Sequence, residues 1–192
     1  EPIASGWHNV TLTVSGSQGP YNRTHLVRIP PAYDGVQPLP ILFGFHGSQG
    51  DPTSFINPSD GTGSHLDITA DEGSFVLVLP TGSVRFYDQT TYNQTGEKVP
   101  AGYGWHVPYV PSITSNTYDD PVQDDIAYVL EILQSSKSSL CIDERRAYAT
   151  GHSGGGRMAS ALACDPEASN HFAAFAPVSG IRAGPADTSA NL

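Results

Sequence analysis

The sequence predicts an α/β domain with a mostly parallel central sheet and helices on both faces, and two observations carry that prediction. Residues 40–45 (PILFGF), 75–80 (FVLVLP) and 172–179 (FAAFAPVS) are nearly or wholly apolar, as strands covered on both faces are. Segments with a helical period lie between them, and strands alternating with helices build parallel sheets. The second observation is a change of character at one residue. Residues 145–150 read as a short buried strand, residues from 154 onward read as a small-residue helix, and Ser153 sits on the turn between them.

Length and composition set the frame. With 192 residues the chain fits a single domain, 1–192, and can bury a real core. A formal charge of -10 argues against nucleic acid and against an anionic membrane as partners. No run approaches the roughly 18 apolar residues of a membrane span. Asn9, Asn22 and Asn93 each open an acceptor sequon for N-linked glycan, whereas Asn57 is excluded by Pro58. The chain begins at Glu1 without a methionine, as a processed secretory protein does. The expected location is therefore extracellular.

Taken in order, residues 7–14 and 24–29 are rich in β-branched residues and are separated by the turn-prone residues 15–20, which predicts an antiparallel hairpin. The apolar strand at 40–45 stops at His46-Gly47-Ser48-Gln49-Gly50, a glycine-rich loop that can present backbone N–H groups to an anion. His46 is read as a structural residue that hydrogen-bonds this loop. A short helix is expected over residues 64–71 with Ser64 as its cap, followed by the strand at 75–80.

Residues 81–118 have no regular period and carry several aromatics, among them Tyr103 and Trp105. Long irregular segments inside compact domains are usually functional or disordered. Tyr103 and Trp105 are expected either to stack on a substrate ring or to anchor the loop. Asp119-Asp120-Pro121 opens a predicted helix whose apolar face is Val122, Ile126, Val129, Leu130 and Leu133, with Asp124 and Asp125 on its solvated side.

Gly151-x-Ser153-x-Gly155 is the pattern of a nucleophile elbow. The serine is forced into a strained backbone conformation, and side chains two residues away would collide with the crossing chain. Such a turn lifts the hydroxyl clear and aims a helix N-terminus at the oxygen that becomes negative during attack on a carbonyl. The two cysteines, Cys141 and Cys164, flank this unit. A strand of roughly 20 Å out and a helix of roughly 15 Å back return both to one end of the sheet, so a disulfide is expected, with two unpaired thiols as the alternative.

The run Cys141-Ile142-Asp143-x-x-Arg146-x-Tyr148-Ala149-Thr150-Gly151-x-Ser153-x-Gly155-Gly156, followed by Leu162-Ala163-Cys164 and residues 172–180, resembles the secreted feruloyl esterases of fungi. These are related to the polyhydroxybutyrate depolymerase and acetylxylan esterase group of α/β-hydrolases. The resemblance reaches back through His46-Gly47 and Gly104-Trp105. It implies an α/β-hydrolase fold, Ser153 as the nucleophile, and an oxyanion hole from the N–H of Gly154 and one near Ser48. It further implies a serine carboxylesterase acting on hydroxycinnamoyl esters of plant cell-wall polysaccharide, with no metal and no organic cofactor. An acetylxylan esterase or polyester depolymerase, and a non-catalytic esterase-like binding domain, are the alternatives.

In that family the triad acid and histidine follow the serine in chain order. Downstream of Ser153 the only histidine is His171, at the start of a strand and so at the wrong end of the sheet, and no histidine follows Asp187. His152 diverges from its neighbour on the tight turn. No base is assigned, and the chain is expected to be the N-terminal two-thirds or so of the enzyme.

Overall fold

The computed structural model describes residues 3–15, 20–56, 63–92, 96, 98–107 and 123–180, with side chains at 88–92 and 98–100 left aside. Among the described residues six strands form one mixed sheet, in the spatial order Gly6–Val14, Tyr21–Ile29, Val76–Pro80, Leu39–Phe45, Ile142–His152 and Ala174–Val178. The opening hairpin pairs β1 (Gly6–Val14) with β2 (Tyr21–Ile29) antiparallel, and β2 then pairs antiparallel with β4 (Val76–Pro80). From β4 onward the neighbours β3 (Leu39–Phe45), β7 (Ile142–His152) and β8 (Ala174–Val178) are all parallel. The apolar strands β3 and β4 therefore occupy the centre, whereas the equally apolar β8, expected to be covered on both faces, pairs only with β7 at the edge of the described sheet and is largely exposed.

The sheet is covered on two faces because successive side chains of a strand point opposite ways. In β4, Val76 and Val78 join the larger core with Ile41, Phe43 and Phe45 of β3, while Leu77 and Leu79 join a smaller one. The larger core is closed by α3 (Asp125–Ser139) through Ile126, Val129, Ile132 and Leu133, and by α4 (Gly154–Cys164) through Met158 and Leu162. The smaller is closed by α1 (Pro52–Ile56) through Ile56 and by α2 (Leu66–Gly73) through Ala70. The described part of the chain is thus an α/β layer structure with helices on both faces.

Several local expectations change. The short helix α2 starts at Leu66, and its preceding residue is His65 in a left-handed conformation without a side-chain cap. Part of residues 81–118 is regular: β5 (Val84–Tyr92) and β6 (Lys98–Gly104) form a separate two-stranded sheet. Its register shifts twice, at Phe86/Tyr87 and Tyr87/Tyr92, so the alternation that marks a strand is broken in the sequence. The main helix begins at Asp125, not near Pro121, because the Asp124 carboxylate accepts the Ala127 N–H at 2.9 Å and caps it. Residues 119–122 lie outside the described residues.

Asp125 itself is fully buried rather than solvated. It pairs with Arg23 of β2 at 2.6 Å and accepts the Ser83 hydroxyl at 2.9 Å and the His106 N–H at 2.6 Å. The Arg23 guanidinium also donates to the Thr81 carbonyl and lies 3.8 Å from the centre of the Tyr128 ring. Burial pushes the Asp125 carboxyl up, against the charge of Arg23 and the donated hydrogen bonds. This cluster ties the hairpin, the loop after β4, the segment at 106 and the start of α3 together.

The disulfide is not formed: Cys141 and Cys164 are free thiols. The expectation treated β7 as straight, but its register against β3 jumps from Leu39↔Ile142 to Ile41↔Ala147. Asp143 and Arg146 brace that bulge, with Arg146 Nε donating to Asp143 at 2.7 Å and its guanidinium also donating to the Pro38 carbonyl. Cys141 is carried toward the β2–β3 connection, where its Sγ faces the Val36 carbonyl at 3.4 Å. Cys164 is left exposed at the end of α4.

Two buried histidines make stability depend on pH. His25 lies 3.3 Å from the Tyr128 hydroxyl, and His46 is wholly enclosed. Burial lowers both rings from 6.5 to about 4. Between those pH values the unfolded chain binds protons that the folded chain refuses. The neutral rings therefore contribute full stability above about pH 6.5, lost as pH falls toward 4, by at most about 3 kcal/mol each. Urea unfolding followed from pH 7 to 4 is expected to show a falling midpoint that His25→Phe partly flattens.

Candidate active site

The site forms where β7 turns into α4. Ser153 has φ 55° and ψ −112°, a conformation outside the regions open to residues with a side chain. Its backbone is over-determined: the Ser153 N–H donates to the Val178 carbonyl at 2.9 Å, and its carbonyl accepts the Arg157 N–H at 3.1 Å. A strained residue persists only where its surroundings hold it in this way.

The flanking glycines are set by close approach. A Cβ on Gly155 would stand 2.0 Å from the Phe45 carbonyl oxygen, and one on Gly151 would stand 2.4 Å from the Gly155 carbonyl oxygen. No real Cβ tolerates either distance. The helix therefore rests directly on the end of β3, which brings the loop after β3 to the serine. Gly155→Ala is expected to cost about 2–3 kcal/mol by forcing α4 off the strand. A melting temperature unchanged from the wild type would contradict that packing.

The loop at 46–50 lies against the elbow. A Cβ on Gly154 would meet the Ser48 nitrogen at 2.8 Å, and one on Gly47 would meet the Ser153 Cβ at 3.7 Å. The Ser48 and Gly154 N–H groups thus stand together beside Ser153. Neither is taken by a backbone acceptor among the described residues. The first N–H groups of a helix are free in any case. Two N–H donors close together beside a hydroxyl can stabilise an oxygen as it gains negative charge.

His46 holds this loop as a structural residue. Its Nε2 accepts the Gly82 N–H at 3.1 Å, which places the ring proton on Nδ1, 2.8 Å from the Gly47 carbonyl. Trp105 is tied to this loop. Its Nε1 donates to the His46 carbonyl at 2.8 Å, and its ring lies 4.8 Å from that of His46 and 5.2 Å from that of Phe45. Tyr103 pairs with the far end of the same loop. Its N–H donates to the Gly50 carbonyl at 2.7 Å, and the residue lines a cavity of about 350 Å³ with Arg23, Thr81 and Ser83.

A cavity of about 520 Å³ flanks the elbow, lined by Gly47, Phe55, Leu66, Thr150, His152 and Val178 among others. That volume suits a small organic ligand. No hydrogen bond to the Ser153 hydroxyl occurs among the described residues. His171 is exposed in the turn at Ala168–His171, ahead of β8 and so at the opposite end of the sheet, and Asp187 lies outside the described residues. Asn9 and Asn22 are both exposed on the outer face of the hairpin, while Asn93 lies outside the described residues. Among the described residues no group of three His, Cys, Asp or Glu could hold a metal ion, and no helix is long and apolar enough to cross a membrane.

The buried cluster of Arg23, Ser83, Asp125 and Tyr128 escaped sequence reasoning. A signal existed in β2: Arg23 and His25 share a face with Val27 and Ile29, so two titratable residues occupy inward positions of a strand.

No family model matches the chain. By sequence it is similar to a probable feruloyl esterase C of Aspergillus flavus, 27% identical over 161 residues, covering 84% of this chain and 48% of that protein. It is also similar to the feruloyl esterase C of Emericella nidulans, 28% identical over 159 residues, covering 82% and 46%. The chain spans about half the length of these curated relatives. Among solved structures it resembles a ferulic acid esterase, with TM-score 0.55 and 18% identity over 98% of this chain and 65% of that one. It also resembles an acetyl xylan esterase from Aspergillus awamori, with TM-score 0.52 and 14% identity over 88% and 53%. The strand order, the strained serine and these likenesses agree: the chain has the α/β-hydrolase fold and is similar in sequence to fungal feruloyl esterases.

Proposed function

We propose that this chain carries the nucleophile and oxyanion hole of a secreted serine carboxylesterase that cleaves hydroxycinnamoyl esters of plant cell-wall polysaccharide. The observation that carries the reading is the elbow itself, a serine held at φ 55° with the Ser48 and Gly154 nitrogens beside it. A structural serine has no need of that strain.

In the proposed reaction Ser153 Oγ adds to the ester carbonyl carbon while its proton passes to a histidine. The carbonyl oxygen, now negative, is met by the Ser48 and Gly154 N–H groups. The C–O bond to the sugar breaks, the alcohol leaves with the proton, and water hydrolyses the acyl-enzyme by the same route in reverse. The histidine and its acid partner are proposed to come from sequence beyond this chain, since the order serine, acid, histidine has no completion within it. The secretory reading is supported by two sequons on one exposed hairpin face, and a mass loss on glycosidase treatment tests it.

The test is made on the full-length protein. A fluorophosphonate is expected to label Ser153 and no other serine, and turnover of methyl ferulate is expected to exceed release of acetate from acetylated xylan. Preference for the acetyl ester would make the protein an acetylxylan esterase with the same machinery. Failure to label would leave an esterase-like binding domain.

A further inference from the structure

His46 is wholly buried, one residue before the loop that meets the elbow, and the proposed chemistry gives its ring no direct part. Each ring nitrogen nevertheless has a backbone partner. A backbone N–H can donate only to a lone pair, so the Gly82 N–H at 3.1 Å fixes Nε2 as the acceptor. Nδ1 then carries the proton and donates it to the Gly47 carbonyl at 2.8 Å. The same carbonyl accepts the Gly50 N–H at 3.1 Å.

The Gly47 carbonyl belongs to the peptide unit that contains the Ser48 N–H. A trans peptide is planar, with its C=O and N–H pointing in opposite directions, and no cis bond occurs among the described residues. Gripping the oxygen from the His46 side therefore turns the nitrogen's hydrogen the other way. The Ser48 nitrogen lies 2.8 Å from the point where a Gly154 Cβ would stand, next to the second donor of the hole. We propose that His46 is a positioning residue for the oxyanion hole: its neutral ring, clamped between the Gly47 carbonyl and the Gly82 N–H, fixes the plane of the Gly47–Ser48 peptide and so the aim of the Ser48 N–H.

The clamp is itself anchored. Trp105 holds the His46 carbonyl at 2.8 Å and covers the ring at 4.8 Å. Gly82 follows Thr81, whose carbonyl is held by Arg23, and precedes Ser83, whose hydroxyl is held by Asp125. The buried ion pair thus fixes the far side of the ring. Burial holds the ring neutral by lowering it to about 4, which keeps Nε2 an acceptor at working pH.

The inference rests on the reading of Ser153 as the nucleophile, and the test separates the two. An asparagine amide reaches roughly where Nδ1 stands and can still donate to the Gly47 carbonyl. A glutamine amide reaches the position of Nε2 and cannot. In the full-length protein His46→Gln is expected to lower kcat on methyl ferulate tenfold or more with KM within about twofold, outright loss of an oxyanion donor being worth about 10²–10³. His46→Asn is expected to stay within about threefold of the wild type. Equal losses in both variants that track their melting temperatures would reduce His46 to a packing residue and overturn the clamp. On the wild-type protein, two-bond proton–nitrogen spectra of the His46 ring must show the Nδ1–H tautomer; the Nε2–H tautomer overturns the clamp without any variant. An inert wild type takes down the nucleophile reading and the inference with it, whereas an active wild type with an unaffected His46→Gln removes the clamp alone.

Discussion

Ser153→Ala in the full-length protein is expected to lower kcat on methyl ferulate by roughly 10⁴- to 10⁶-fold and to abolish fluorophosphonate labelling. The loss is that large because hydroxyl, oxyanion donors and base act as a unit, and removing the attacking atom leaves only substrate binding and the two N–H groups. The fold is expected to survive. The φ of 55° is enforced by the Val178 and Arg157 hydrogen bonds and by the glycines around it, none of which uses the serine hydroxyl. Alanine inherits the same backbone strain, so the melting temperature should move by no more than a few degrees. Residual activity above about one per cent of the wild type would remove Ser153 from the role of nucleophile.

Two adjacent aspartates are expected to differ sharply. Asp125→Ala leaves the Arg23 guanidinium buried without its counter-charge and the His106 N–H without an acceptor, and is expected to cost about 3–5 kcal/mol. Asp124→Ala removes only the exposed cap on the Ala127 N–H and is expected to cost about 1 kcal/mol. Urea denaturation of the two variants measures the contrast directly. Replacing both members of the pair, Arg23→Met with Asp125→Leu, is expected to cost less than Asp125→Ala alone, because a buried pair is worth far less than the penalty of leaving one charge unpaired. Equal costs for Asp124→Ala and Asp125→Ala would contradict the buried placement of Asp125.

The sequence by itself determined the layers of this protein and the place of its strained strand-to-helix turn at Ser153. Runs such as VLVLP in β4 are apolar at every position, as a strand covered on both faces is. The glycines around Ser153 sit where a Cβ would collide with the crossing chain, so the turn was legible as a local steric requirement. The role of His46 as a loop anchor was legible too, from its place directly after a central strand.

What only the tertiary structure decided are relations between segments far apart in the chain. The pairing of Arg23 with Asp125 joins residues about a hundred positions apart, and no local period distinguishes an aspartate turned inward from one turned to water. The bulge in β7 that follows Cys141 arises from how β7 registers against β3, a long-range match that strand length alone does not specify. The tie between Trp105 and the loop exists because the His46 carbonyl, nearly sixty residues earlier, stands within reach of its Nε1. Periodicity and steric demand are local and were readable; hydrogen-bond and charge partners across the sheet depend on the packed arrangement, and the packed arrangement alone assigns them.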